Sequence, residues 1–301
     1  LARLYPLHLA TLLIMLAMVI GLRTLADWGG YTSIYDLHGY HPATSFVSFI
    51  ANLFLVQAWH LFPHLTWNGV AWFVSVEFFL CLAFPVFASI AQRGSITAFA
   101  LIGGGFVVLF ALANTSGHGL DITYDWGIVR GLADFSIGAG MAMLYRHIQT
   151  LPTLSDAHVS LAQAIAVILL LYAIYNTGWS HRPADFWIVP PMMLLIFTLS
   201  FDRGLVARLF QTTALRRLGE WSFAIYIGQG ALLQLLRFFE QRLYPHPASA
   251  WGHTIHLIEP VVLVIAATLW GAALYYAVEA PANAALRRYF AAKSAGSAAS
   301  A

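Results

Sequence analysis

The sequence predicts an all-α fold: a polytopic transmembrane helix bundle of about eight spanning helices plus one short re-entrant or interfacial helix. Three observations carry that expectation. Hydrophobic residues make up 60% of the 301-residue chain and charged residues only 9%, where soluble domains carry about 25% charged residues. The mean hydropathy is +0.73, and a chain this apolar lacks the polar groups to cover a water-facing surface. The apolar residues also gather into runs of the length a bilayer requires, which is roughly 20 residues.

In chain order, the runs at 5–23, 70–91, 96–113, 127–146, 158–177, 185–201, 218–238 and 256–277 are the expected spans. The segment 44–58 is apolar but short, which suits a re-entrant or interfacial helix. The loops at 92–95, 146–157 and 202–217 and the C-terminus hold Arg93, Arg146, Arg203, Arg208, Arg216, Arg217, Arg287, Arg288 and Lys293. The loops at 59–69, 114–126 and 178–184 hold only Arg182. By the positive-inside rule the first set is cytoplasmic. If 44–58 does not cross, Arg3 is cytoplasmic too and obeys the same rule. The 24–43 stretch, with Asp27, Trp28, Asp36, His38 and His41, is then a long outer loop.

Other features bound the class. The pI near 8.7 reflects scattered Arg at helix ends rather than a basic patch, so no nucleic-acid partner is expected. A single cysteine, Cys81, excludes an intramolecular disulfide, and its apolar helix suggests a small buried hydrophobe. No internal repeat is evident, which argues against an inverted-repeat transporter. Residues 1–290 read as one membrane domain. The tail 291–301, rich in Ala and Ser, reads as disordered. The chain opens at Leu1 without a signal-peptide cleavage site, like the middle of a larger membrane protein.

Glu77 is the most informative residue, a carboxylate near the start of the run 70–91. A charge at membrane depth costs at least a few kcal/mol and marks a cavity or a partner. Around it stand Trp72, Ser75 and, further on, Phe84-Pro85. This segment resembles the "W-S-x-x-E … F-P" segment of acyltransferase family 3. Four other places add to the resemblance. Arg3-Leu4-Tyr5-Pro6-Leu7 is similar to the second half of "R-x-x-R-I-x-P-L". Arg130 through Gly138 is similar to "R-x-x-x-F-x-x-G". Leu218-Gly219 through Ser222-Phe223-Ala224-Ile225-Tyr226-Ile227 is similar to "L-G-x-x-S-Y-x-L-Y-L". Glu279-Ala280-Pro281 is similar to the "E-x-P" that closes the domain.

The chain departs from the pattern in two places. Gln229 stands where the family usually has a histidine, and an amide cannot act as a base near neutral pH. The resemblance also implies that the main catalytic histidine lies upstream of Leu1, in helices that precede this segment.

The resemblance implies a membrane enzyme, an acyltransferase of groups other than aminoacyl, that uses acyl-CoA as donor and binds no cofactor. It implies transfer of a short acyl group, acetyl foremost, to a hydroxyl of a glycan or other carbohydrate-containing acceptor, as in polysaccharide modification. Acyl transfer from a thioester needs a base and oxyanion donors, together with cations for the coenzyme A phosphates, a task suited to Arg. Glu77 is the expected catalytic carboxylate. Arg3, Trp72, Ser75, Arg130, Tyr226 and Gln229 are the expected substrate-binding residues, with Arg3 on the donor.

Plainer readings stand beside these. Arg3 suits a snorkelling anchor, Glu77 and Arg130 an ion pair between helices, and Trp67 an interfacial belt. His8 suits packing. His38, His41, His60 and His64 have spacings compatible with ligation but no metalloenzyme motif, so no metal is expected. The rival functions are a transporter or flippase for a polar or lipid-linked solute, and a non-catalytic relative. The family style implies the bacterial inner membrane with a cytoplasmic C-terminus.

Overall fold

The computed structural model describes residues 3–29, 43–148, 155–179, 184–243 and 250–299. Every regular element among them is helical. In chain order these are α1 (Leu4–Gly29), α2 (Phe46–Leu53), α3 (Trp72–Ile90), α4 (Ser95–Thr115), α5 (Gly127–Ile148) and α6 (Asp156–Trp179). There follow α7 (Val189–Leu199), α8 (Leu205–Phe210), α9 (Thr213–Leu243), α10 (Ala250–Leu274) and α11 (Ala280–Ala299). Short 3₁₀ turns at Gly69–Ala71 and Ala184–Ile188 precede α3 and α7, and a π-turn, Tyr275–Glu279, joins α10 to α11.

Six stretches among the described residues are long and apolar enough to cross a membrane. They are Leu4–Gly29, Gly69–Ile90, Ser95–Thr115, Gly127–Ile148, Asp156–Thr177 and Glu259–Ala291. The other two expected spans are helical as well. The run 185–201 forms the shorter apolar helix Ala184–Leu199, and 218–238 lies within α9. The segment 44–58 holds α2, eight residues long, which reach about 12 Å at 1.5 Å per residue. A hydrocarbon core of about 30 Å is out of its range.

Three expectations shift at this level. The first span continues to Gly29, so the start of the 24–43 loop is helical, while Asp36, His38 and His41 lie outside the described residues. Cys81 is exposed rather than buried, on a helix apolar all round, where a small apolar side chain fits any face. Helix α11 runs on to Ala299, through most of the tail expected to be disordered. Alanine, the commonest residue there, has the highest intrinsic helix propensity.

The chain divides into two compact units. The first comprises residues 1–57, 64–75 and 217–301. Its apolar core joins Leu12, Met15, Val19 and Leu22 of α1 to Trp67 and Ala231. Trp67, expected at the interface, is 7% exposed. Its ring meets Phe49 edge-on at 5.2 Å, and its indole N–H donates to Ser48 Oγ at 3.0 Å. A hydrogen-bonded partner is what lets Trp sit inside. Helices α9 and α10 approach at Gly228 and Gly271, where a Cβ would strike Trp270 and Leu274 or the Ile225 backbone.

The second unit comprises residues 58–63 and 76–216. Helices α4 and α5 pack through Gly105 and Gly140. A Cβ on Gly140 would lie 2.6 Å from the Ala98 carbonyl oxygen. Small residues permit the close backbone approach that drives helix association in lipid. Leu109, Ala113, Ile137, Met141 and Phe186 complete this core.

Candidate active site

Arg3 precedes the first turn of α1, and its Nε donates to Glu279 Oε1 at 2.9 Å across 276 residues of sequence. The Arg3 side chain is 54% exposed and that of Glu279 only 2%. Glu279 closes the π-turn, in which the Ala280 N–H reaches back to Tyr275 O. Pro281 explains the widened turn: it has no amide hydrogen for the α-pattern bond to Ala277. π-Turns of this kind are frequent at functional sites. The sequence singles out both Arg3 and the Glu279-Ala280-Pro281 motif, but nothing local in it says that they meet.

A buried polar network lies along the same unit. His8 is 1% exposed, and its Nε2 lies 2.9 Å from Asn52 O. A carbonyl only accepts, so this contact places a proton on Nε2. Asn52, fully buried, donates through Nδ2 to Ser48 O and to Thr66 Oγ1, both at 2.8 Å. Gln57 Nε2 donates to Ala71 O at 3.1 Å. Asn68 Nδ2 donates to Ile227 O at 2.9 Å, close against Gly230. His8 Nδ1, Asn52 Oδ1, Gln57 Oε1, Asn68 Oδ1 and Glu279 Oε2 are buried without a hydrogen-bond partner among the described residues. Such groups are rare in folded proteins and concentrate where a ligand or water is expected. The sequence reading gave Asn52, Gln57 and Asn68 no weight. Amide side chains inside or beside an apolar run are the signal that marks them.

The expected site residues fall in both units. Ser75 is fully buried, and its hydroxyl donates to Leu55 O at 2.7 Å. Leu55 has φ 58°, a left-handed backbone costly for a non-glycine residue, so this bond pins a strained turn. Trp72 is half-buried. Tyr226 is half-buried too and meets Phe73 edge-on at 5.8 Å. Gln229 is half-buried between Gly228 and Gly230.

Glu77 and Arg130 belong to the second unit. A Cβ on Gly131 would lie 2.5 Å from Val76 Cγ1, so α3 and α5 cross where Glu77 follows Val76 and Arg130 precedes Gly131. Glu77 is half-buried there. Arg130 Nη1 donates to Leu120 O at 2.6 Å, and its Nε lies 3.7 Å from Asp134, as their four-residue spacing predicts. Arg130 and Asp134 head a cavity of about 540 Å³ whose remaining walls, including Met141, Met193 and Phe197, are mostly apolar. His60 uses its Nδ1 on Asp125 O at 3.0 Å.

Residues 1–277 match the acyltransferase domain family. The chain belongs to that family. It is 28% identical over 245 residues to a protein named acyltransferase MdmB from Streptomyces mycarofaciens, an alignment covering 75% of this chain and 58% of that protein. The chain thus spans a little over half the length of that curated relative. No solved structure matches it. Family membership and the apolar helices make it an integral membrane protein.

Proposed function

We propose that this chain forms the greater part of an enzyme that moves an acetyl or similar short acyl group from acyl-CoA to a hydroxyl of a carbohydrate-containing acceptor. The family match over residues 1–277 carries the reading. The site chemistry supports it. Arg3 supplies a half-exposed guanidinium at the start of a candidate span, suited to the phosphates of coenzyme A. Glu77 and Arg130 supply a carboxylate and a cation at one helix crossing for the acceptor side, with Trp72, Ser75, Tyr226 and Gln229 as the other substrate-binding residues.

The proposed orientation puts Arg3 and the C-terminus on the cytoplasmic face of a bacterial inner membrane. Two observations support it. Helix α2 is too short to add a crossing. Arg3 touches Glu279, eight residues before the basic pair Arg287-Arg288, a contact that fits both ends of this unit lying toward one membrane face.

The test is acyl transfer and donor binding by the full-length protein in membranes. Wild type should bind acetyl-CoA and acylate a hydroxyl acceptor. Arg3→Lys should weaken donor binding although it keeps the charge, because the bidentate fork is lost, and Arg3→Ala should weaken it more. A folded wild-type protein with no affinity for acyl-CoA would sink the reading and favour a transporter.

A further inference from the structure

A carboxylate buried to 2% in a candidate membrane span is costly to keep there. The simplest reason to keep it is a helix-holding ion pair, and the geometry of the Arg3–Glu279 contact fits that poorly. A pair that only joins helices gains most from fork-to-fork bidentate contact with both partners enclosed. Here one bond forms, between Arg3 Nε and Glu279 Oε1. The two Nη groups of Arg3 lie outside that bond, on a side chain 54% exposed. Glu279 Oε2 is buried without a partner among the described residues. The carboxylate grips the guanidinium from its Nε side and leaves the phosphate-binding edge open. The backbone adds a second observation: Glu279 is delivered by a π-turn set by Pro281 rather than by regular α-helix.

We propose that Glu279 is a positioning residue for the donor: its carboxylate fixes the Arg3 guanidinium so that the two Nη groups present a fork to the phosphates of acyl-CoA. The inference rests on the proposed acyl-CoA reading. It adds a residue buried away from the donor that acts through Arg3. An unheld arginine spreads over many rotamers and loses that freedom when it is captured. Gripping Nε removes much of that cost before the donor arrives.

The experiment uses the full-length protein in phosphatidylcholine nanodiscs, with acetyl-CoA as donor. Glu279→Gln keeps the shape and removes the charge. The expected result is a donor KM raised roughly tenfold, the effect of losing one charge-assisted hydrogen bond, with the acceptor KM unchanged. In an Arg3→Ala background, Glu279→Gln should add nothing further to the donor KM, because its effect passes through Arg3. A lowered melting temperature with an unchanged donor KM would overturn the proposal and leave a structural pair. So would a further tenfold loss on top of Arg3→Ala. If Glu279→Gln does not fold, Arg3→Lys decides: it keeps a cation beside Glu279 but has no fork, and a wild-type donor KM in that variant overturns the proposal. Adding phosphatidylglycerol separates coenzyme A phosphates from lipid phosphates. A donor defect of Glu279→Gln that appears only in anionic lipid counts against the proposal. Failure of wild type to bind acetyl-CoA removes the parent reading as well, whereas wild-type transfer with an indifferent Glu279→Gln removes only this inference.

Discussion

The two units bury different chemistry. Among the described residues, the buried polar side chains of the second unit are Gln163 and Thr198. The first unit buries His8, Thr11, Thr44, Ser48, Asn52, Gln57, Thr66, Asn68, Ser75 and Glu279. In the second unit the polar work is structural. Gln163 donates to the carbonyls of Thr198 and Arg203 and accepts from the Val206 N–H, tying down the turn before α8. In the first unit several polar atoms have no partner. Desolvating a polar group without a hydrogen bond costs about 1–3 kcal/mol in proteins, and a fold that only needed stability would use apolar residues there. The contrast is that the first unit keeps many buried polar atoms without a partner among the described residues, whereas the second has Asp185 Oδ1; under the proposed function, Glu77 and Arg130 are the second unit's share of the site.

The largest expected effect tests that share. Glu77→Gln in full-length protein should lower acyl transfer by about a hundredfold, the usual scale of an acid–base contribution, while the melting temperature stays near wild type. Near-normal turnover by a stable variant would take Glu77 out of the mechanism and confine the chemistry to the first unit. A fall in stability equal to the fall in activity would make it a structural ion-pair partner.

Next in size is Asn52→Ala. It removes the donors to Ser48 O and Thr66 Oγ1, and leaves buried acceptors unmet at about 2 kcal/mol. Denaturant unfolding in nanodiscs should register that loss, together with a weaker turnover per folded molecule as the His8 environment loosens. Loss of stability with unchanged turnover would make the polar interior of the first unit a scaffold only.

Gln163→Ala is the counterpart in the second unit and the smallest of the three. Of its partners, Arg203 and Val206 are half-buried and Thr198 is buried; water can replace the first two bonds, so about 1 kcal/mol is expected. Turnover per folded molecule should match wild type. A turnover defect there would erase the contrast between the units.

What the sequence reveals follows from range. Apolar runs are local, so the all-α fold, the six long apolar spans and the shortness of 44–58 are legible in single segments. The family resemblance carried by the motifs is legible too, and the match over residues 1–277 bears out the family. The Arg3–Glu279 contact is not legible, because it joins the two ends of the unit and no periodicity predicts a pair so far apart. The left-handed backbone at Leu55 and Trp67 is equally hidden, since neither residue type favours it and only tertiary contacts such as the Ser75 bond hold it. Trp67 shows the limit of composition: a tryptophan in a loop reads as a belt residue until its indole partner, Ser48, is known.

The π-turn at Tyr275–Glu279 takes up one residue more than an α-turn, with the Ala280 N–H reaching Tyr275 O. Each residue turns an α-helix by about 100°. Were the same residues to close as ordinary α-helix, every residue after the turn would move round by about that angle relative to α10. The Arg287-Arg288 pair would turn with it. Removing one residue inside the turn, Ala277 for example, would instead let the segment close as α-helix while the face that follows keeps its place, because Ala280 would still stand opposite Tyr275 O. The wide turn is thus what keeps α10 and α11 in phase while the chain carries one more residue.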